Sequence, residues 1–115
     1  MGRQKAGPGG PALQAVEILG AQIRAARIER GYTQDRAARV LATSRSTVNR
    51  MEHGSPDIAI GRYFDAAIFF GIDLFDTHSI DGMRERLSES RLRQKLLKSR
   101  VVPEPDELGD IDVNF

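Results

Sequence analysis

The chain has 115 residues, a formal net charge of +1 at neutral pH, 29% charged residues and no cysteine. That length suits one domain with tails, and the missing cysteine excludes a disulfide framework and thiolate metal sites. No run approaches the ~18 consecutive apolar residues of a membrane span, and "MGRQKAGPGG" lacks an apolar stretch after its basic residues, so it does not read as a signal peptide. A soluble, cytoplasmic protein is expected. A core drawn from about 60 residues is marginal alone, which favours a dimer.

Residues 1–11 are rich in Gly and Pro and are expected to be a disordered segment. From Ala12 the apolar spacing turns helical. Leu19, Ile23 and Ala26 follow i, i+4, i+7, and Gly31 is placed to end the helix after Arg30. Thr33 is a good cap for a second helix, with Asp35 near its N-terminus. Ala37, Ala38 and Leu41 face inward there, and their small size permits close helix approach. The corner Ala42-Thr43-Ser44 then leads to a third helix over residues 45–53, capped by Ser44, buried through Val48 and Met51, and ended by Gly54.

After the turn "SPD", a fourth helix over residues 60–70 is expected to bury Ile60, Phe64, Ala67 and Phe70, with Gly71 as its stop. A short fifth helix is expected to start near Leu74. Residues 81–98 permit a further, weakly amphipathic helix carrying Met83, Leu87, Leu92 and Leu96, and Pro103 and Pro105 end regular structure. The whole reads as an all-α bundle of four to five helices over 12–80, with flexible N- and C-terminal extensions. The extension over 81–115 is bipolar. Residues 84–103 hold seven basic against two acidic side chains, and residues 104–115 hold five acids and no base. Net charge hides this separation.

Two short helices joined by a three- to four-residue corner, the second capped and polar on one side, form the helix-turn-helix pattern. In that arrangement the N-terminus of the second helix attracts a phosphate, and the first turns of the third reach base edges. Arg can bond guanine as a fork and Asn can do so to adenine. Arg45, Ser46, Asn49 and Arg50 lie on or near the face left when Val48 and Met51 point inward. Thr33, Gln34 and Thr47 are candidate phosphate donors, with Ser44 at the cap between them. Phe69, Phe70, Ile72, Leu74 and Phe75 are more apolar than a small monomer needs and are candidate dimer-interface residues.

"IRAARIERGYTQDRAARVLATSRSTVNRMEHG" resembles the phage-repressor/Cro (Xre) helix-turn-helix family through its Arg-x-x-x-Gly-x-Thr-Gln start, its Ala37-Ala38 pair, its Ser-Arg-Ser-Thr-Val core and its Glu-x-Gly end. The resemblance covers residues 19 to about 74. It implies a lambda-repressor-like fold, DNA contacts from Gln34, Arg45, Ser46 and Arg50, and a pairing of Arg27 with Glu52. The chain departs from the family at Leu41-Ala42, where a small or polar residue, often Gly, is usual. More narrowly, "GSPDIAIGRYFDAAIFFGIDLFD" followed by "RLSESRLRQKLLKSR" and an acidic end is similar to HipB-like antitoxins. That likeness implies a homodimer that represses its own operon on a near-palindromic operator and binds a HipA-type serine/threonine kinase toxin. In the acidic tail, Ile111, Val113 and Phe115 are candidate partner-binding residues.

Plainer readings exist beside these. The segment from Arg84 to Arg100 can be a solvated helix, a kinase-docking segment or an extra contact to the DNA backbone. The phenylalanines serve core and dimer interface more simply than a ligand pocket. His53 and His78 are isolated, so no metal is expected, and no cofactor either. No Gly-rich phosphate loop or activated nucleophile points to an enzyme. A stand-alone phage-like or metabolic repressor, and a protein-binding adapter on the same fold, remain alternatives to the antitoxin. A DNA-binding role would make the protein nucleoid-associated.

Overall fold

A computed structural model describes residues 9–98. Five helices follow one another, α1 (Gly10–Glu29), α2 (Gln34–Val40), α3 (Arg45–Glu52), α4 (Ile60–Phe69) and α5 (Ile80–Leu97). Among the described residues there is no named strand, only an isolated antiparallel bridge between Leu74 and Thr77. The chain divides into two units between His78 and Ser79, the first holding α1–α4 and the second α5.

Local chemistry sets the helix ends. Thr33 accepts a hydrogen bond from the Arg36 N–H and Ser44 accepts one from the Thr47 N–H, each satisfying a donor that the first turn leaves unpaired. The C-termini of α1, α2, α3 and α4 share one stop. A residue in the left-handed region, at Gly31, Ala42, Gly54 and Gly71, lets the next N–H reach back into the last turn. These bonds run from Tyr32 to the Arg27 carbonyl, Thr43 to Ala38, Ser55 to Arg50 and Ile72 to Ala67, at 2.8–3.1 Å. Three of the four stops use glycine, and the corner of the helix-turn-helix uses alanine.

The core of the first unit gathers Ile23, Ala37, Ala38, Val48, Met51, Tyr63, Ala66 and Phe70. Gly20 lets α1 lie against the end of α3, because a Cβ there would meet the Met51 carbonyl oxygen at 2.4 Å. Tyr63 reaches across from α4 and donates its hydroxyl to the Ser55 carbonyl at 2.6 Å, fastening α4 to the turn that follows α3.

Several expectations need correction. The first helix starts at Gly10 rather than Ala12, because Pro11 in the opening turn needs no hydrogen-bond partner for its nitrogen. Helix α4 buries Ala67 and Phe70 and half-buries Phe64 as expected, but it also buries Tyr63 and Ala66 and leaves Ile60 67% exposed, with the Tyr63 hydroxyl anchored on the Ser55 carbonyl. No helix starts near Leu74. Phe75 and Asp76 both have positive φ, which breaks helical geometry, and the Thr77 N–H and hydroxyl both turn back to the Leu74 carbonyl. The weakly amphipathic segment does form a helix, α5, with Ser79 as its cap and no buried residue.

Candidate nucleic-acid interface

Helix α3 is held rigidly from behind. The Arg27 guanidinium meets the Glu52 carboxylate with two N–H groups, Nε to Oε2 and Nη2 to Oε1, the second at 3.0 Å. Its remaining fork donates from Nη1 to the Tyr32 carbonyl at 2.7 Å. The Glu52 side chain is fully buried and Arg27 nearly so, a two-toothed pair that is costly to break from one side. Among the described residues no buried side-chain polar atom lacks a hydrogen-bond partner. The ion pair therefore ties α1 to the last turn of α3, its hydrogen bonds offsetting the cost of burying two charges.

With Val48, Met51 and Glu52 turned inward, α3 leaves Arg45, Ser46, Asn49, Arg50 and His53 exposed on the other side. Four of these five were expected from the sequence. His53 was not, although its place four residues after Asn49 and seven after Ser46 puts it on the same face. It is the C-cap of α3, with Nδ1 at 2.8 Å from the Asn49 carbonyl. Arg45 rests 3.9 Å from Asp35 across two well-exposed side chains, a weak pair that leaves the guanidinium free to turn.

The remaining expected contacts split. Thr33 and Ser44 are exposed, and both are occupied as caps. Ser44 also donates its hydroxyl to Thr47 Oγ1 at 3.0 Å, and Thr47 is half-buried. Gln34 is half-buried as well. Its Nε2 donates to Glu52 Oε1 at 3.1 Å and to Asn49 Oδ1 at 3.2 Å, so the first residue of α2 is bound to two residues of α3. Sequence spacing has no way to show that link, because the partners lie 15 and 18 residues away. At the corner itself, Arg62 Nη1 reaches the Ala42 carbonyl at 3.4 Å.

The candidate dimer residues also differ among themselves. Phe70 is 3% exposed and belongs to the core, where its ring meets Tyr32 and Phe69 edge-on. It lies seven residues after Tyr63 on the buried stripe of α4 and offers no surface to another chain. Ile72 and Leu74 are half-buried. Phe69 and Phe75 are exposed, and Phe75 packs edge-on against Phe64 with centroids 5.9 Å apart. Ile111, Val113 and Phe115 lie outside the described residues.

Two capped helices meeting at a left-handed corner, the second presenting a polar and cationic face, define a helix-turn-helix unit. Residues 18–63 match the family model of a helix-turn-helix domain, which spans α1 from its third turn through the start of α4. This segment is thus similar to a helix-turn-helix domain. No curated protein matches the chain in sequence. No helix among the described residues is long and apolar enough to cross a membrane.

Proposed function

We propose that the protein is a sequence-specific transcriptional repressor that binds a near-palindromic operator as a homodimer, with α3 in the major groove. The observation that carries this reading is the exposed row Arg45, Ser46, Asn49 and Arg50 on a helix braced from behind by Arg27 and Glu52. Thr33, Gln34, Ser44 and Thr47 sit at the two helix starts, where backbone donors and hydroxyls suit phosphate. The exposed rings of Phe69 and Phe75, flanked by Ile72 and Leu74, are the proposed seam between two copies. A two-fold dimer then reads half-sites about one helical turn, ~34 Å, apart.

The test is an anisotropy titration of the protein on its own promoter DNA at several salt concentrations, with light scattering alongside. A specific complex that weakens steeply with salt and contains two chains supports the reading. A strict monomer at micromolar concentration, with and without DNA, refutes the dimer.

Within that reading the protein acts as the antitoxin of a HipA-like serine/threonine kinase and controls their shared operon. What supports this is the likeness of residues 54–76 and of the bipolar extension to HipB-like antitoxins. Ile111, Val113 and Phe115, apolar among acids, are the proposed anchors, with Phe115 foremost because aromatic side chains dominate interface energetics. Calorimetric titration of the full chain, and of a chain truncated after Val102, into the purified product of the adjoining gene decides the matter. Weaker binding by the truncated chain supports the anchor. Equal affinities remove the tail from the interface, and a neighbour that is no kinase leaves a stand-alone repressor.

A further inference from the structure

The Glu52 carboxylate does more than hold Arg27. A carboxylate in an ion pair has no hydrogen to give and can only accept. The Gln34 amide beside it must therefore turn its NH2 group, not its oxygen, toward Glu52 Oε1 at 3.1 Å. The same Nε2 has a second hydrogen, and it donates this to Asn49 Oδ1 at 3.2 Å. Asn49 is thereby obliged to present its oxygen to Gln34. The polarity of a buried charge is passed through two amides to the exposed face of α3.

A free asparagine on a reading helix is ambivalent. It can offer a donor and an acceptor side by side, which matches the major-groove edge of adenine. In this chain Oδ1 is held by the Gln34 N–H, which fixes which end of the amide faces Gln34, and among the described residues Nδ2 makes no hydrogen bond. We infer that Asn49, polarised through Gln34 by Glu52, acts as a one-sided donor that selects a base acceptor and rejects cytosine at one position of each half-site. This rests on the proposed placement of α3 in the major groove. The physical reason is that guanine, adenine and thymine each carry an acceptor on that edge, whereas cytosine presents only the N4 donor. An amine facing an amine leaves two unsatisfied donors in a desolvated contact, which is the costly outcome.

The inference sets apart three forms of the protein. Asn49→Asp keeps an acceptor for Gln34 but replaces the outward donor with an acceptor, so cytosine becomes the favoured base. Gln34→Ala frees Oδ1 and removes one hydrogen bond to Glu52 Oε1 while both Arg27 bonds to that carboxylate remain, so Asn49 regains its fork and adenine becomes favoured. Gln34→Ala also lowers affinity across all sequences if Gln34 touches phosphate, but a uniform loss does not alter base preference.

The experiment is selection of binding sites by the full chain from duplexes with randomised positions. Competition among four duplexes differing at the identified base pair follows, and circular dichroism checks that each variant is folded. The expected result is depletion of cytosine by about tenfold with the wild type, a switch toward cytosine with Asn49→Asp, and a shift toward adenine with Gln34→Ala. One unchanged base preference across all three folded proteins overturns the inference while leaving DNA reading intact. No enriched sequence with the wild type overturns the proposed DNA reading itself, and the inference with it.

Discussion

Gly20 and Gly54 stand where α1 and the end of α3 touch backbone to backbone. A Cβ on Gly20 would lie 2.4 Å from the Met51 carbonyl oxygen and 3.0 Å from the Gly54 nitrogen, and one on Gly54 would lie 2.6 Å from Glu17 Cα. Neither partner is a side chain that can swing away. Gly20→Ala gains roughly 1 kcal/mol of helix propensity, yet it must push two helices apart under the exposed face of α3. The expected net effect is a loss of about 1–3 kcal/mol. Thermal unfolding followed by circular dichroism measures it, and a Tm equal to or above that of the wild type would show that the helices separate freely.

Ala42 makes the opposite case. Its φ of +54° closes the helix-turn-helix corner in the same way that Gly31, Gly54 and Gly71 close the other stops. An L-residue in that region carries a penalty of roughly 1–2 kcal/mol, partly offset by the entropy that glycine loses on folding. Ala42→Gly is expected to raise stability by about 0.5–1 kcal/mol. Chemical denaturation with unchanged slope and a higher midpoint is the outcome to look for, and a lower midpoint contradicts it.

For the proposed reading face, Arg45→Ala and Arg50→Ala are each expected to lose about 1–3 kcal/mol of specific operator binding and to relax preference at one base position. Both side chains are exposed, so folding should be unaffected. Anisotropy titrations on the operator and on scrambled DNA separate the two effects. If neither change alters operator affinity, α3 is not the helix that enters the groove.

Tyr63 gives a pH dependence with a definite sign. Burial raises its phenol above the usual value near 10, and the nearby Arg50 guanidinium opposes that only in part. The folded state therefore keeps its proton at a pH where the unfolded chain has begun to lose it. Stability contributed by Tyr63 is complete below about pH 10 and declines as pH rises through the raised folded value. Tyr63→Phe should flatten this alkaline decline, while losing about 1 kcal/mol at neutral pH with the bond to Ser55. Parallel decline in both proteins above pH 10 would assign it elsewhere.

How far the sequence reveals this molecule depends on the range of the cause. Thr33 and Ser44 as caps, and Gly31, Gly54 and Gly71 as stops, act within one turn of chain, and all five were legible. The exposure of Ile60 at the start of α4 was not. Ile60 and Tyr63 are both large enough to fill a core, and only the distant Ser55 carbonyl decides between them. The segment after Leu74 looks helical in composition, but Phe75 takes a left-handed backbone and packs edge-on against Phe64. The exposure of Arg45, Ser46, Asn49 and Arg50 on one face of α3 follows from period, whereas the bonds from Gln34 to Asn49 and Glu52 exist only once α2 and α3 are folded together.

Helix α5 buries none of its residues and carries Arg84, Arg86, Arg91, Arg93 and Lys95, with Lys98 as its C-cap. A helix without a buried face is held by its own backbone bonds, so its amides open at low free energy. Brief trypsin digestion of the free protein should therefore cut first within 84–98 and spare Arg27, whose guanidinium is locked to Glu52. Deuterium uptake should rank the same way, fast along α5 and slow at Val48 and Met51. Slower cleavage of α5 when another molecule is added then reports, without a label, that the helix has been covered.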